Sequence, residues 1–87
     1  YRRTVTSKKH YDAAAFQAPS GYTYTRLKVG DHVPPPLLAG NVSLSDYQSY
    51  ALDEPPAGLS WIRNGQDALL IDAKTGEIVQ ADYGVFN

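Results

Sequence analysis

Between Leu59 and Tyr83 the apolar positions fall into three short runs, Trp61-Ile62, Ala68-Leu69-Leu70-Ile71 and Ile78-Val79, separated by two turn signals. Asn64-Gly65 stands between the first two runs, and that dipeptide favours the positive φ at both central positions of a type I′ hairpin. Asp72-Ala73-Lys74-Thr75-Gly76-Glu77 stands between the second and third. There an Asp side chain can accept hydrogen bonds from nearby backbone N–H groups, and Gly76 can take the left-handed conformation that closes the loop. Runs this short, rich in Ile, Leu, Val and Trp and punctuated by such turns, predict a C-terminal three-stranded antiparallel meander.

The turns also predict a register. Pairing Arg63 with Gln66 sets Trp61 opposite Ala68 and Leu59 opposite Leu70, and pairing Asp72 with Glu77 sets Leu70 opposite Val79 and Ala68 opposite Ala81. Alternation then gathers Leu59, Trp61, Ala68, Leu70, Val79, Ala81 and Tyr83 on one face, and Ile62, Leu69, Ile71, Ile78 and Gln80 on the other. Both faces are substantially apolar, so both require cover.

Upstream, Tyr22 to Val29 alternates strictly, with Tyr22, Tyr24, Arg26 and Lys28 on one side and Thr23, Thr25, Leu27 and Val29 on the other, which predicts a strand ended by Gly30-Asp31. Pro34-Pro35-Pro36-Leu37-Leu38 is either one helical turn opened by proline or polyproline II. Val42 and Leu44 suit a short bridge. Ser45-Asp46 is placed to cap a short helix over Tyr47–Leu52, and Asp53 to Gly58 is a stiff loop. Residues 1–20 read as a flexible basic arm or linker, in which Arg2 to Thr6 suits an added strand and Asp12 to Gln17 a helical turn. The reading is thus a single α+β domain over residues 21–87: a small antiparallel sheet, one or two short helices and an N-terminal arm.

Composition narrows the chemistry. The 87 residues contain no Cys and no Met, which excludes a disulfide framework, a zinc finger, an iron–sulfur centre and a cysteine nucleophile, and leaves copper(I) without soft ligands. No apolar run approaches the roughly 20 residues needed to cross a bilayer as a helix. The chain opens Tyr1-Arg2-Arg3 without an apolar signal core, and the missing initiator Met suggests a processed or trimmed chain. The net charge of −1 conceals an asymmetry: Arg2, Arg3, Lys8 and Lys9 lie in the first ten residues with no acid among them. An acidic body argues against nucleic acid as the partner.

Gly30-Asp31-x-Val33-Pro34-Pro35, Asp46-Tyr47 with Leu52, Pro55-Pro56-x-Gly58, and Trp61-x-Arg63-x-Gly65-x-Asp67-x-Leu69-Leu70-x-Asp72-x-x-Thr75-Gly76-x-Ile78 stand in the order and spacing of the RcnB-like family. The resemblance spans about Leu27 to Tyr83 and leaves residues 1–20 outside. It implies an exported periplasmic protein of the Gram-negative envelope, with a small α+β fold and a part in nickel and cobalt homeostasis beside an efflux system. The matching residues are glycines, prolines, a Trp and apolar positions. They determine a fold, and no catalytic set travels with them.

For nickel or cobalt the donors to look for are imidazole and carboxylate, and the candidates are His10 with Asp12 and Asp31 with His32, as a weak contact rather than a resident cofactor. No Ser sits in a glycine elbow and no glycine-rich phosphate loop exists, so the reading is non-enzymatic. The candidate interaction residues are Arg2, Arg3, Lys8 and Lys9 of the arm and Tyr22, Tyr24 and Arg26 of the tyrosine-rich segment, since tyrosine supplies interface area with one polar tip. They point to a protein partner in the cell envelope. The alternative is a structural or interaction subunit of a larger envelope assembly, docked through the arm and the tyrosine-rich segment.

Overall fold

In the computed structural model, which describes residues 2–87, the chain runs through β1 (Arg3–Thr6), the single-turn helix α1 (Pro35–Leu38), a 3-10 turn (Tyr47–Tyr50), β2 (Leu59–Asn64), β3 (Asp67–Asp72) and β4 (Ile78–Tyr83). The strands form one four-stranded mixed sheet in the order β1-β4-β3-β2. Neighbouring pairs β2–β3 and β3–β4 are antiparallel, over the residues where the turn signals place them. The fourth strand comes from the N-terminal segment: β1 lies parallel to β4, Arg3 opposite Gln80 through Thr6 opposite Tyr83. Within the N-terminal segment, residues 3–6 thus form an edge strand, the added strand that Arg2 to Thr6 suits. The chain keeps this course beyond the strand, with Ser7 N donating to Tyr83 O, Tyr11 N to Val85 O and Asn87 N to Tyr11 O.

The hairpin turn keeps two central residues but lies one residue further along the chain than the sequence suggests. Asn64 pairs with Asp67 and Trp61 with Leu70, so the central residues are Gly65 and Gln66. Gly65 has φ +63°, and neither Asn64 nor Gln66 has positive φ, which is the II′ pattern rather than I′. The second turn follows its sequence logic: Asp72 Oδ1 accepts from Lys74 N and Thr75 N, Gly76 has φ +79°, and Asp72 N donates to Glu77 O.

Ile71 pairs with Ile78, but Leu70 pairs with Gln80, so a β-bulge intervenes at Val79. An inserted residue reverses the alternation beyond it. Ala81 and Tyr83 therefore leave the Trp61 face and join Ile62, Leu69, Ile71 and Ile78, and Gln80 crosses the other way.

Both faces are covered, each by this chain's own segments. Leu27, Val33, Leu37 and Val42 pack on the Leu69–Ile78 face. Leu44, Leu52, Val85 and Phe86, with half-buried Tyr11, Tyr47 and Tyr50, pack on the Trp61–Leu70 face. Leu37, Leu69 and Ile78 have no exposed surface, and full burial of such a side chain stabilises by roughly 1.5–3 kcal/mol.

Three local expectations change. Tyr22 to Val29 is an irregular segment laid across the sheet rather than a strand in it: Leu27 inserts into the core while the tyrosine hydroxyls reach polar groups of the hairpin. The helix expected over Tyr47–Leu52 is the four-residue 3-10 turn; Asp46 makes no side-chain capping bond, and Ala51 ends the turn with φ +56°. Asp12 to Gln17 forms no helix. The prolines open α1 with Pro at its first positions, and Ser43 bridges Ile62, covering part of the outer edge of β2.

Candidate functional site

Basic residues converge on β1. Arg2 precedes the strand, Arg3 begins it, and Lys8 and Lys9 follow it, all exposed. On the Trp61 face a groove of about 470 Å³ beside β1 is lined by Arg3, Lys8 and Lys9, with Asp53 and Asp82 opposite them. On the other face Thr4 and Tyr83 share a shallow hollow with Arg26 and Lys28. Six of the eight Lys and Arg residues of the chain thus lie on or beside one strand. Sequence distance hides this: Arg26 and Lys28 reach it only because the 22–29 segment crosses the sheet toward β4. Lys28 shares its side with Arg26, and that spacing is the signal that could have added it to the interaction set.

Each of the expected interaction residues has a definable position. Arg2 is ion-paired with Glu77. Arg26 stacks its guanidinium 3.8 Å from the centroid of the Tyr83 ring, a cation–π contact, while the Tyr83 hydroxyl donates to Leu27 O at 2.6 Å. Tyr22 and Tyr24 turn their hydroxyls inward, to Asn64 Oδ1 at 2.7 Å and Asp67 Oδ2 at 2.8 Å. The polar tips that would face a ligand are occupied within the domain, although the Tyr24 ring remains 45% exposed. Burial, reinforced by the Asp67 carboxylate, pushes the Tyr24 hydroxyl up to about 12.

The candidate metal donors lie at separate places. His10 Nδ1 is 2.5 Å from Gly84 O; a carbonyl only accepts, so that nitrogen carries the proton and a neutral ring keeps its lone pair on Nε2. Asp12 Oδ1 accepts from Asn87 Nδ2 at 2.6 Å. Asp31 Oδ2 closes its own turn by accepting from Lys28 N at 2.9 Å, and His32, exposed, forms a backbone β-bridge with Glu77. Among the described residues no group of three or more His, Cys, Asp or Glu side chains is arranged to hold an ion.

Two charged groups are buried in a way the sequence does not announce. Arg63 is half-buried: its Nε donates to Gly65 O, its Nη1 to Ala14 O, and its guanidinium lies 4.5 Å from the Phe86 centroid. Burial lowers its pKa, and its contacts tie the 11–17 segment to the hairpin. Asp82 on β4 is partly buried, which raises its pKa, although Gln80 Nε2 donates to it at 2.8 Å. Arg63 stands in the family pattern and Asp82 outside it, and the burial of each depends on what the fold lays over it.

The arrangement offers charge, backbone pairing groups and shallow grooves, a chemistry of recognition. No helix among the described residues is long and apolar enough to cross a membrane. A solved structure matches with a TM-score of 0.61 and 29% identity, over 75% of this chain and 82% of that one. No curated protein matches. The family model described as RcnB, nickel/cobalt transporter regulator, matches residues 30–80, a span that holds α1, the 3-10 turn, β2, β3 and the bulged start of β4. That is more than half of the sequence, and the chain belongs to the RcnB family.

Proposed function

We propose that this domain is a small, exported, non-enzymatic accessory of nickel and cobalt homeostasis, acting in the periplasm through a protein partner. The observation that carries the reading is the family match across residues 30–80. In support of the partner route, the side chains of His10, Asp12 and Asp31 are engaged at separate places and His32 is held through its backbone, while the basic margin around β1 is exposed. Direct metal contact is then weak, confined to a ring nitrogen such as His10 Nε2.

The test compares nickel and cobalt content in cells lacking the protein with cells complemented by it. A difference restored by the intact chain supports the reading, and equal content with and without it overturns it. Calorimetric titration of the purified chain with each ion separates the routes. Little heat and an unmoved unfolding temperature fit the partner route; tight binding lost in His10→Ala or His32→Ala replaces that route with direct binding.

A further inference from the structure

β1 has an open edge. Ser7 N donates to Tyr83 O, and Thr6 stands opposite Tyr83. In a parallel ladder a residue sends its N–H and C=O to the same neighbour, and alternate residues face opposite ways. The backbone groups of Val5 and Ser7 therefore face β4, and those of Thr4 and Thr6 face outward. Beyond them is the sheet margin, since β1 is the terminal strand in the order.

An exposed row of this kind is a template for another strand, and its surroundings select which one. Arg2, Arg3, Lys8 and Lys9 flank the strand along its length, and Arg26 and Lys28 approach from one face. Against these six cations stand Asp53 and Asp82 on the other face and Glu77, which pairs with Arg2. The margin is cationic in a chain whose net charge is −1. Positive side chains on an edge repel a second copy presenting the same edge and attract a strand carrying carboxylates. We propose that the outer edge of β1 takes an acidic, extended segment of a partner protein as an added strand, paired to the Thr4 and Thr6 backbone and held by the basic side chains on either side. This rests on the partner-mediated reading above and supplies its surface. Failure of the edge to bind leaves the metal-content comparison untouched, so the two ideas fail separately.

The probe is a soluble Thr-Glu repeat peptide, titrated into the full chain at low and high salt and followed by amide hydrogen exchange. Expected are binding that weakens steeply with salt, new protection at the Thr4 and Thr6 amides, and no binding of a Thr-Lys repeat. Thr6→Pro removes an outward N–H while leaving the ladder to β4, because proline is tolerated on a solvent-facing edge; it lowers affinity about tenfold, as loss of one charge-flanked hydrogen bond would. The wild-type exchange pattern stands independently if that variant folds poorly. No binding, binding without Thr4 and Thr6 protection, or equal response to anionic phosphatidylglycerol vesicles reduces the edge to a plain charged patch and overturns the proposal. Concentration-dependent protection of the same amides without peptide overturns it in favour of a second copy.

Discussion

Asn64 offers the sharpest test of how the hairpin is held. Its side chain has no exposed surface, and each end of its amide is used: Oδ1 accepts from the Tyr22 hydroxyl at 2.7 Å and Nδ2 donates to Thr25 O at 3.0 Å. It thereby fastens the irregular 22–29 segment to the end of β2. Asn64→Ala removes both bonds, each worth about 0.5–1.5 kcal/mol net, and leaves a small void beside the turn. The expected loss is about 2–3 kcal/mol, or on the order of 10–20 °C in Tm for a domain of this size. Urea unfolding followed through Trp61, itself 3% exposed with Nε1 donating to Asp53 O, reads this as a lowered midpoint at unchanged slope. Tyr22→Phe removes one of the two bonds and costs about 1 kcal/mol. Because the groups touch, the two changes combined cost less than their sum by about 0.5–1 kcal/mol. An Asn64→Ala cost below about 0.5 kcal/mol, the range of an ordinary surface change, refutes the assignment of Asn64 as the fastener.

Two glycines with positive φ separate backbone strain from collision. Gly58 has φ +86° with nothing within 4 Å of an added Cβ, so Gly58→Ala costs about 1 kcal/mol of conformational strain; at Gly65 the added Cβ meets Tyr24 Cε1 at 2.6 Å, so Gly65→Ala costs more and displaces Tyr24 from Asp67, seen as an added fall in the urea midpoint. Two carboxylates give opposite pH dependences. Burial raises the folded pKa of Asp82 above 3.8, so its contribution is full below that value and is lost as pH rises through the raised pKa; Asp82→Asn flattens that part of the profile. The backbone N–H groups of Lys74 and Thr75 lower the folded pKa of Asp72 below 3.8, so its contribution is present above that value and is lost as pH falls through the lowered pKa; Asp72→Asn removes this acid-side loss in urea midpoints measured against pH. In alkali, Tyr24 titrates at about 12 by ultraviolet absorbance, a step that Tyr24→Phe removes. Its stabilising contribution is full below 10.0 and is lost toward 12.

The legible parts of the fold were those set by neighbours in sequence. The Asp72–Gly76 turn needs only an Asp, two following N–H groups and a glycine with positive φ, and all are found in those roles. The three paired C-terminal strands follow from equally local signals, and of the two forms the prolines allow the structure takes the helical turn α1. The bulge at Val79 has no such signal, and one extra residue was enough to send Ala81 and Tyr83 to the other face. The alternation of Tyr22 to Val29 was real but misled. Thr and Tyr suit a strand, yet here the tyrosine hydroxyls reach Asn64 and Asp67, partners in the hairpin some 40 residues away.

The same argument explains why the charges of the candidate site are visible in the sequence and their setting is not. Arg2, Arg3, Lys8 and Lys9 are neighbours in the chain, so their charge is apparent as a run. What that charge surrounds depends on β1 joining β4 in parallel, a pairing between the first and last strands that no local pattern announces. Parallel pairing across such a separation carries a loop-closure cost that must be met by contacts along its length. The Ser7, Tyr11 and Asn87 hydrogen bonds and the Tyr11–Phe86 bridge extend those contacts beyond the strand. The Arg2–Glu77 pair adds little, since exposed ion pairs contribute about 0–1 kcal/mol. A four-residue strand held chiefly at one margin is the part of this sheet most open to change by a neighbour. A partner strand added at Thr4 and Thr6 would give β1 hydrogen bonds on both sides, so recognition at that edge would also hold the N-terminal segment more firmly on β4.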